Sequence, residues 1–237
     1  MNRSNSLAGA AFPVTAWSQV MQVKSGNEKA LEVFCQSYWP AIYSYLRALG
    51  CEREEALDET QEFLTQFIHS ESLKSLAPER GLLRSYLRQS LRNHIASVRR
   101  NAVRQKRGGG YMQIALEDLE AFDAPNEPEA ADQWFDRSWA WSAVNRAIGR
   151  IEARYSKRGR EKLFAELKTG LINPELLKPY AEIGTIVGMN EGQVKLEVHR
   201  IRKRLAEELR AEVMATLSAG VNVDEELRYL LSVLGHE

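Results

Sequence analysis

Apolar residues along this chain recur mostly at spacings of three and four, and runs of alternating β-branched residues are absent. The pattern therefore predicts an all-α fold. The spacing places helices over about 15–24, 28–48, 52–69, 82–105, 133–155, 158–169, 178–187 and 191–216, with a short one near 224–234. One segment breaks the periodicity. Gly108-Gly109-Gly110 lies near its start, acids dominate it, and Pro125 and Pro128 interrupt it. Such a composition buries too little apolar surface to order itself alone. The expectation is two helical domains, 14–105 and 133–216, joined by an acidic flexible linker over 106–132, with a C-terminal extension over 217–237.

Three of these helices have faces that carry chemistry. At about 100° per residue, Glu54, Glu55, Asp58, Glu59 and Glu62 share one arc, with Gln61 at its edge. Ala56, Leu57, Thr60, Phe63, Leu64 and Phe67 share the opposite arc. Aligned carboxylates repel one another when unpaired, so the acidic arc is either a solvated face or a docking surface for a basic partner. In the helix over 82–105, Leu83, Leu87, Leu91, Ile95 and Val98 form an apolar stripe. Beside it run Arg88, Arg92 and Arg99, and a third face holds Tyr86, Asn93, Arg100 and Arg104. Arginine supplies phosphate contacts, tyrosine a stacking platform and asparagine donors and acceptors for base edges. The bland reading pairs this helix with the acids of the same chain. The third stretch is YAEIGTIVGMNEGQVKLEVHRIRKR, Tyr180 to Arg204. Gly188 suits the left-handed corner of a helix-turn-helix and Asn190 can cap its second helix. Val194, Val198, Ile201 and Leu205 form that helix's buried stripe, and Gln193, Lys195, His199, Arg200 and Lys203 project from its other sides. The second helix of such a motif enters the major groove with its first turns nearest the bases.

Charge changes this picture only when counted by segment. Lys plus Arg and Asp plus Glu are both 32, and a net charge of zero argues at first against a nucleic-acid partner. Yet Leu82–Leu116 holds eight bases and no acid, whereas Glu117–Asp136 holds eight acids and no base. The zero is a sum of segregated blocks. No apolar run approaches the roughly 18 residues of a membrane helix, and the N-terminus lacks a signal-peptide pattern. Cys35 and Cys51 lack metal-ligand spacing, and His69, His94, His199 and His236 are scattered. No nucleophile–base pair, phosphate loop or metal set stands out, so the expectation is a cytoplasmic protein that is not an enzyme and takes no cofactor or metal.

The three stretches, in this order, resemble the extracytoplasmic-function class of bacterial RNA polymerase sigma factors. TAWSQVM and FCQSYWPAIYSYLRALG are similar to the opening helices, and EEALDETQEFLTQFI to the acidic core-binding motif. LLRSYLRQSLRNHIASVRR resembles the promoter-melting helix, QKRGGG a junction in one branch of the class, and DEELRYLL a C-terminal signature of that branch. YAEIGTIVGMNEGQVKLEVHRIRKRL resembles the helix-turn-helix that reads the upstream element. The resemblance implies a subunit that binds core RNA polymerase (clamp coiled coil and flap), directs it to promoter DNA and helps open the duplex, as a monomer on the enzyme. It places Asp58, Gln61, Glu62 and Phe63 in the core-binding segment, to which the acidic arc adds Glu54. It places Tyr86, Arg92, Asn93, Arg99 and Arg100 on the −10 element and its unpaired strand, to which the basic stripe adds Arg88. Gln193, Lys195, His199 and Arg200 match the recognition helix for the −35 element, with Lys203 beside them. The loop over 70–81 stands where such factors capture a flipped-out base.

Two positions depart from the motifs. Leu57 stands where the core-binding motif usually has an acid, and Ser97 replaces an acid of the melting helix. Regulation in this class implies an anti-sigma factor or a Ser/Thr kinase as a further partner. Thr60 is then a candidate phosphorylation site, since a phosphate there would restore negative charge. The rival reading is a stand-alone helix-turn-helix regulator that binds a palindrome as a dimer. The Glu54–Glu62 face and the second basic helix favour the polymerase subunit.

Overall fold

In the computed structural model the described residues are 16–71, 73, 76–77, 82–107, 128–217 and 221–235. All the regular elements among them are helices. They are α1 (Ala16–Lys24), α2 (Glu28–Ala48), α3 (Arg53–His69), α4 (Leu83–Arg107), α5 (Pro128–Ser156), α6 (Glu161–Ile172), α7 (Tyr180–Val187), α8 (Glu191–Thr216) and α9 (Val223–Gly235), with a short 3-10 turn at Pro174–Leu176. Among the described residues no helix is long and apolar enough to cross a membrane.

Local chemistry sets the helix ends. Asn27 caps α2, its Oδ1 accepting from the Ala30 N–H at 3.1 Å, and Gly50 at φ 87° follows its C-terminus. Gly carries such a φ without the Cβ clash that other residues meet. Residues 128–132 were expected in the linker, but α5 begins at Pro128, five residues earlier than its periodicity indicates. Proline suits a first helical turn, where its missing N–H has no intrahelical partner to lose. Ala131, Phe135 and Trp139, four apart, are all buried and give the early turns their hold.

The core forms two clusters. The first joins Val20 of α1, Phe34, Tyr38 and Ile42 of α2, Phe63 and Phe67 of α3, and Leu83, Leu87 and Leu91 of α4. Phe135, Trp139 and Ala143 of α5, Val213 of α8 and Leu230 of α9 complete it. The second holds Ile148 and Ile151 of α5, Leu163, Phe164 and Leu167 of α6, Ile183 of α7, and Val194, Val198 and Ile201 of α8. The division between clusters thus falls part-way along α5 and α8 rather than at the acidic segment. α5 has 29 residues, which at about 1.5 Å per residue makes a rod of roughly 43 Å. Its first half packs along α2, the most extensive helix pair among the described residues, and its second half carries the other cluster. Arg146 and Arg150 then tie it to α8, donating to Glu212 at 2.7 and 2.9 Å and, from Arg150, to Glu208 at 2.8 Å.

Candidate nucleic-acid interface

α3 divides as its pattern predicts, with consequences for two residues. Glu54, Glu55, Asp58, Gln61 and Glu62 are exposed, and Ala56, Thr60, Phe63, Leu64 and Phe67 are buried. Leu57 is half-buried. Phe63, assigned to the core-binding set, is only 2% exposed, packed on Phe67 at 5.7 Å and edge-on to His94 at 5.5 Å between centroids. It packs beneath the exposed carboxylates of α3 rather than among them. Thr60 is fully buried and donates its hydroxyl to the Ala56 carbonyl at 2.6 Å. The hydroxyl expected to take a phosphate therefore faces the core, and a kinase would reach it only if α3 came away from its packing. Glu59 turns inward, 3.1 Å from His94 Nε2. Glu54 and Asp58 have no partner among the described residues and remain the free charges of the face.

The basic row of α4 splits in two. Arg88 Nη1 lies 2.8 Å from Asp136 Oδ2 and 3.8 Å from Asp132 Oδ2. Arg92 also pairs with Asp132. These two arginines, expected on DNA, are engaged by carboxylates of α5 because Asp132 and Asp136 repeat at the same four-residue spacing as Arg88 and Arg92. Arg99 and Arg100 are exposed and have no such partner among the described residues. Asn93 is exposed and accepts from Gln89 at 3.2 Å, and Tyr86 is half-buried, edge-on to Phe67. Ser97 is half-buried. Sequence reading missed Arg84. It is 1% exposed, with its guanidinium 5.0 Å from the Trp139 ring centroid, Nε 3.2 Å from Asp136 Oδ1 and Nη2 paired with Glu226. The available signal was its place in the same four-residue row.

At the other end of the chain α7 and α8 meet in a tight corner. Gly188 takes φ 73°. The Met189 N–H donates to the Gly184 carbonyl at 2.8 Å, and a Cβ on Gly184 would sit 2.4 Å from the Met189 carbonyl oxygen. Asn190 Oδ1 accepts from the Gln193 N–H, and Gln193 Oε1 accepts from the Asn190 N–H, both at 2.9 Å. This reciprocal cap satisfies two helix-end donors. Gln193, assigned as a base reader, is therefore engaged through its carbonyl oxygen, and only its amide group is free to face a ligand. Lys195, His199, Arg200 and Lys203 are exposed as expected. Leu196 stands among them, 46% exposed, an apolar contact point that sequence reading did not list.

Behind this front lies a carboxylate that orders the arginines. Glu197 is 5% exposed. It accepts from Tyr155 Oη at 2.8 Å, Arg200 Nη1 at 2.7 Å and Arg160 Nη1 at 3.3 Å. Burial pushes the Glu197 carboxyl up, but the bonds from Tyr155 and Arg200 and the charges of Arg160 and Arg200 outweigh it and hold it below the usual range. A cavity of about 660 Å³ opens here, rimmed by Arg154, Arg158, Arg160, Arg200 and Arg204. Arg158 has no partner among the described residues. Arg160 and Arg200 are paired with Glu197, and Arg154 and Arg204 with Glu208, Arg204 also with Glu207, so the arginine rim beside the exposed turns of α8 is largely matched by carboxylates, with Arg158 left over.

No family model, no curated protein and no solved structure matches the chain. The acidic segment over 108–127 and most of the loop over 70–81 lie outside the described residues.

Proposed function

We propose that this protein is a promoter-specificity subunit of bacterial RNA polymerase, a sigma factor of the extracytoplasmic-function type rather than an enzyme. In this reading it is cytoplasmic and works in two units. α3 docks on the clamp coiled coil of core polymerase through Glu54, Asp58, Gln61 and Glu62. α4 engages the −10 element and the separated strand through Asn93, Arg99 and Arg100, with Tyr86 beside them. α7 and α8 form a helix-turn-helix that reads the −35 element.

The observation that carries the reading is the α7–α8 corner. A left-handed Gly188 and the Asn190–Gln193 cap hold the first turns of α8 rigid, with Lys195, Leu196, His199 and Arg200 outward. Arginine and lysine suit guanine edges, and an apolar side chain suits the thymine methyl group. Arg158, left over on the cavity rim behind them, suits backbone phosphate, which positions a reader without specifying sequence. Strand opening costs a few kcal/mol for each unstacked step. Neither DNA-binding unit need supply that alone, because polymerase docking makes their contacts intramolecular.

A chain carrying Glu54→Lys and Asp58→Lys should lose co-elution with core polymerase while keeping its helical content. Retained co-elution would contradict the docking assignment. A stand-alone regulator would bind duplex promoter DNA tightly without core, and a gel shift reads that directly.

A further inference from the structure

The charge cluster where α4, α5 and α9 meet is left unexplained by promoter reading. Arg84, Arg88 and Arg92 repeat every turn along α4, and each faces a carboxylate of its own chain: Glu226 and Asp136, Asp136 and Asp132, and Asp132 respectively. Asp136 is fully buried. Its Oδ2 accepts from Arg88 Nη1 at 2.8 Å and from Tyr229 Oη at 2.7 Å. α9 is held through this polar seam, through the Arg210–Asp224 pair to α8, and through an apolar face on which Val223, Leu227 and Leu234 pack half-buried beside Leu230. Only Leu230 and Val233 of α9 are buried, while Tyr229 and Leu231 stay 40% and 57% exposed. Breaking a buried charge pair costs several kcal/mol when nothing replaces the lost partner. A phosphate arriving at the same arginines does replace it. A charged seam can therefore be exchanged for a polyanion in a way that an apolar seam cannot.

We propose that α9 is an autoinhibitory strap. With the first half of α5 it presents Asp132, Asp136 and Glu226 to α4 in the place of nucleic-acid phosphates, and it must lift before the whole basic row is open. The proposal rests on the reading of α4 as a nucleic-acid helix. The free chain then offers Arg99 and Arg100 but withholds Arg88 and Arg92. Release of α9 removes Glu226 from Arg84 and Tyr229 from Asp136, and loosens the hold of α5 on the row.

The test uses the full chain and two variants, Glu226→Gln and Tyr229→Phe, which keep side-chain shape and remove the attachments of α9 to Arg84 and Asp136 while leaving the Arg210–Asp224 pair to α8 in place. Leu230→Asp, which destroys the apolar seat, serves as a third variant that frees α9 if the polar ones leave it docked. Amide hydrogen exchange reports whether α9 is released. Titration with a short mixed-sequence single-stranded oligonucleotide at several salt concentrations reports what release uncovers. Faster exchange in α9 should accompany oligonucleotide binding about 3- to 10-fold tighter. Two further phosphates neutralised at about 0.7 each would steepen the slope of log K against log salt by roughly 1.4. Release of α9 with affinity and slope unchanged from the full chain overturns the strap and leaves the reading of α4 standing. If neither the full chain nor the released variants bind the oligonucleotide at low salt, the reading of α4 fails, and the strap with it.

Discussion

Asp136 sits at the centre of the charge cluster beside the first core cluster. It is buried, and it answers Arg84, Arg88 and Tyr229 together. Asp136→Asn removes one of the two carboxylates, with Glu226, that compensate Arg84 in the core, and the one that answers Arg88 at 2.8 Å. Because a buried pair broken on one side typically loses about 3–5 kcal/mol, urea denaturation should show a loss of that order. An exposed pair such as Lys168–Glu152 should show almost none when broken. Glu197 makes a pH prediction. Its carboxyl is held below the usual range in the folded chain, so the stability it contributes is fully present above the ordinary glutamate pKa of about 4.3. It is lost as pH falls through the lower folded value. Melting curves of the parent and Glu197→Gln should therefore diverge above that window and converge below it. Parallel curves at all pH values would contradict the role given to Glu197. Residue identity alone did not reveal these roles. A glutamate within KLEVHR reads as a surface charge, and its partners Tyr155 and Arg160 lie about forty positions away.

Helices were the most legible level, because apolar spacing and caps are local. The capping asparagines at 27 and 190 and the glycine at 188 do in the fold what their chemistry indicates. The start of α5 was not legible, since Pro128 read as an interruption although proline is welcome at a first turn. The buried arc of α3 was visible in the pattern. The consequence for Thr60 and Phe63, which lie in that arc and face the core, was overridden by the motif they match. The α7–α8 corner gives a sharp prediction. Gly184→Ala forces a Cβ against the Met189 carbonyl, and overpacking of this kind typically costs about 1–3 kcal/mol. Duplex binding should weaken with it, whereas an alanine at Gly149, where a Cβ meets nothing within 4 Å, should leave binding intact. α9 gives another. Burial and the bond to Asp136 push the Tyr229 phenol up to about 12 from 10.0. A raised folded pKa means the contribution is complete below the unfolded value and disappears as pH rises through the folded one. The stability advantage of the parent over Tyr229→Phe, read from urea denaturation, should thus be complete below about pH 10 and shrink as the pH rises to about 12.

At the scale of the whole molecule, a net charge of zero conceals faces of opposite sign. The free acids of α3, the free end of the α4 row and Arg158 beside α8 point outward. The α4 arginines nearest the core are matched internally by Asp132, Asp136 and Glu226. Blocks of charge were visible along the chain, but their mutual pairing was not, because it joins positions 40 to 142 residues apart. The most direct measurement is transcription from genomic fragments by purified core RNA polymerase with and without this protein. Start sites that depend on the protein, share two sequence elements and disappear with Glu54→Lys/Asp58→Lys are the expected result. Identical transcripts with and without the protein, under conditions where it binds core, would contradict the proposed function.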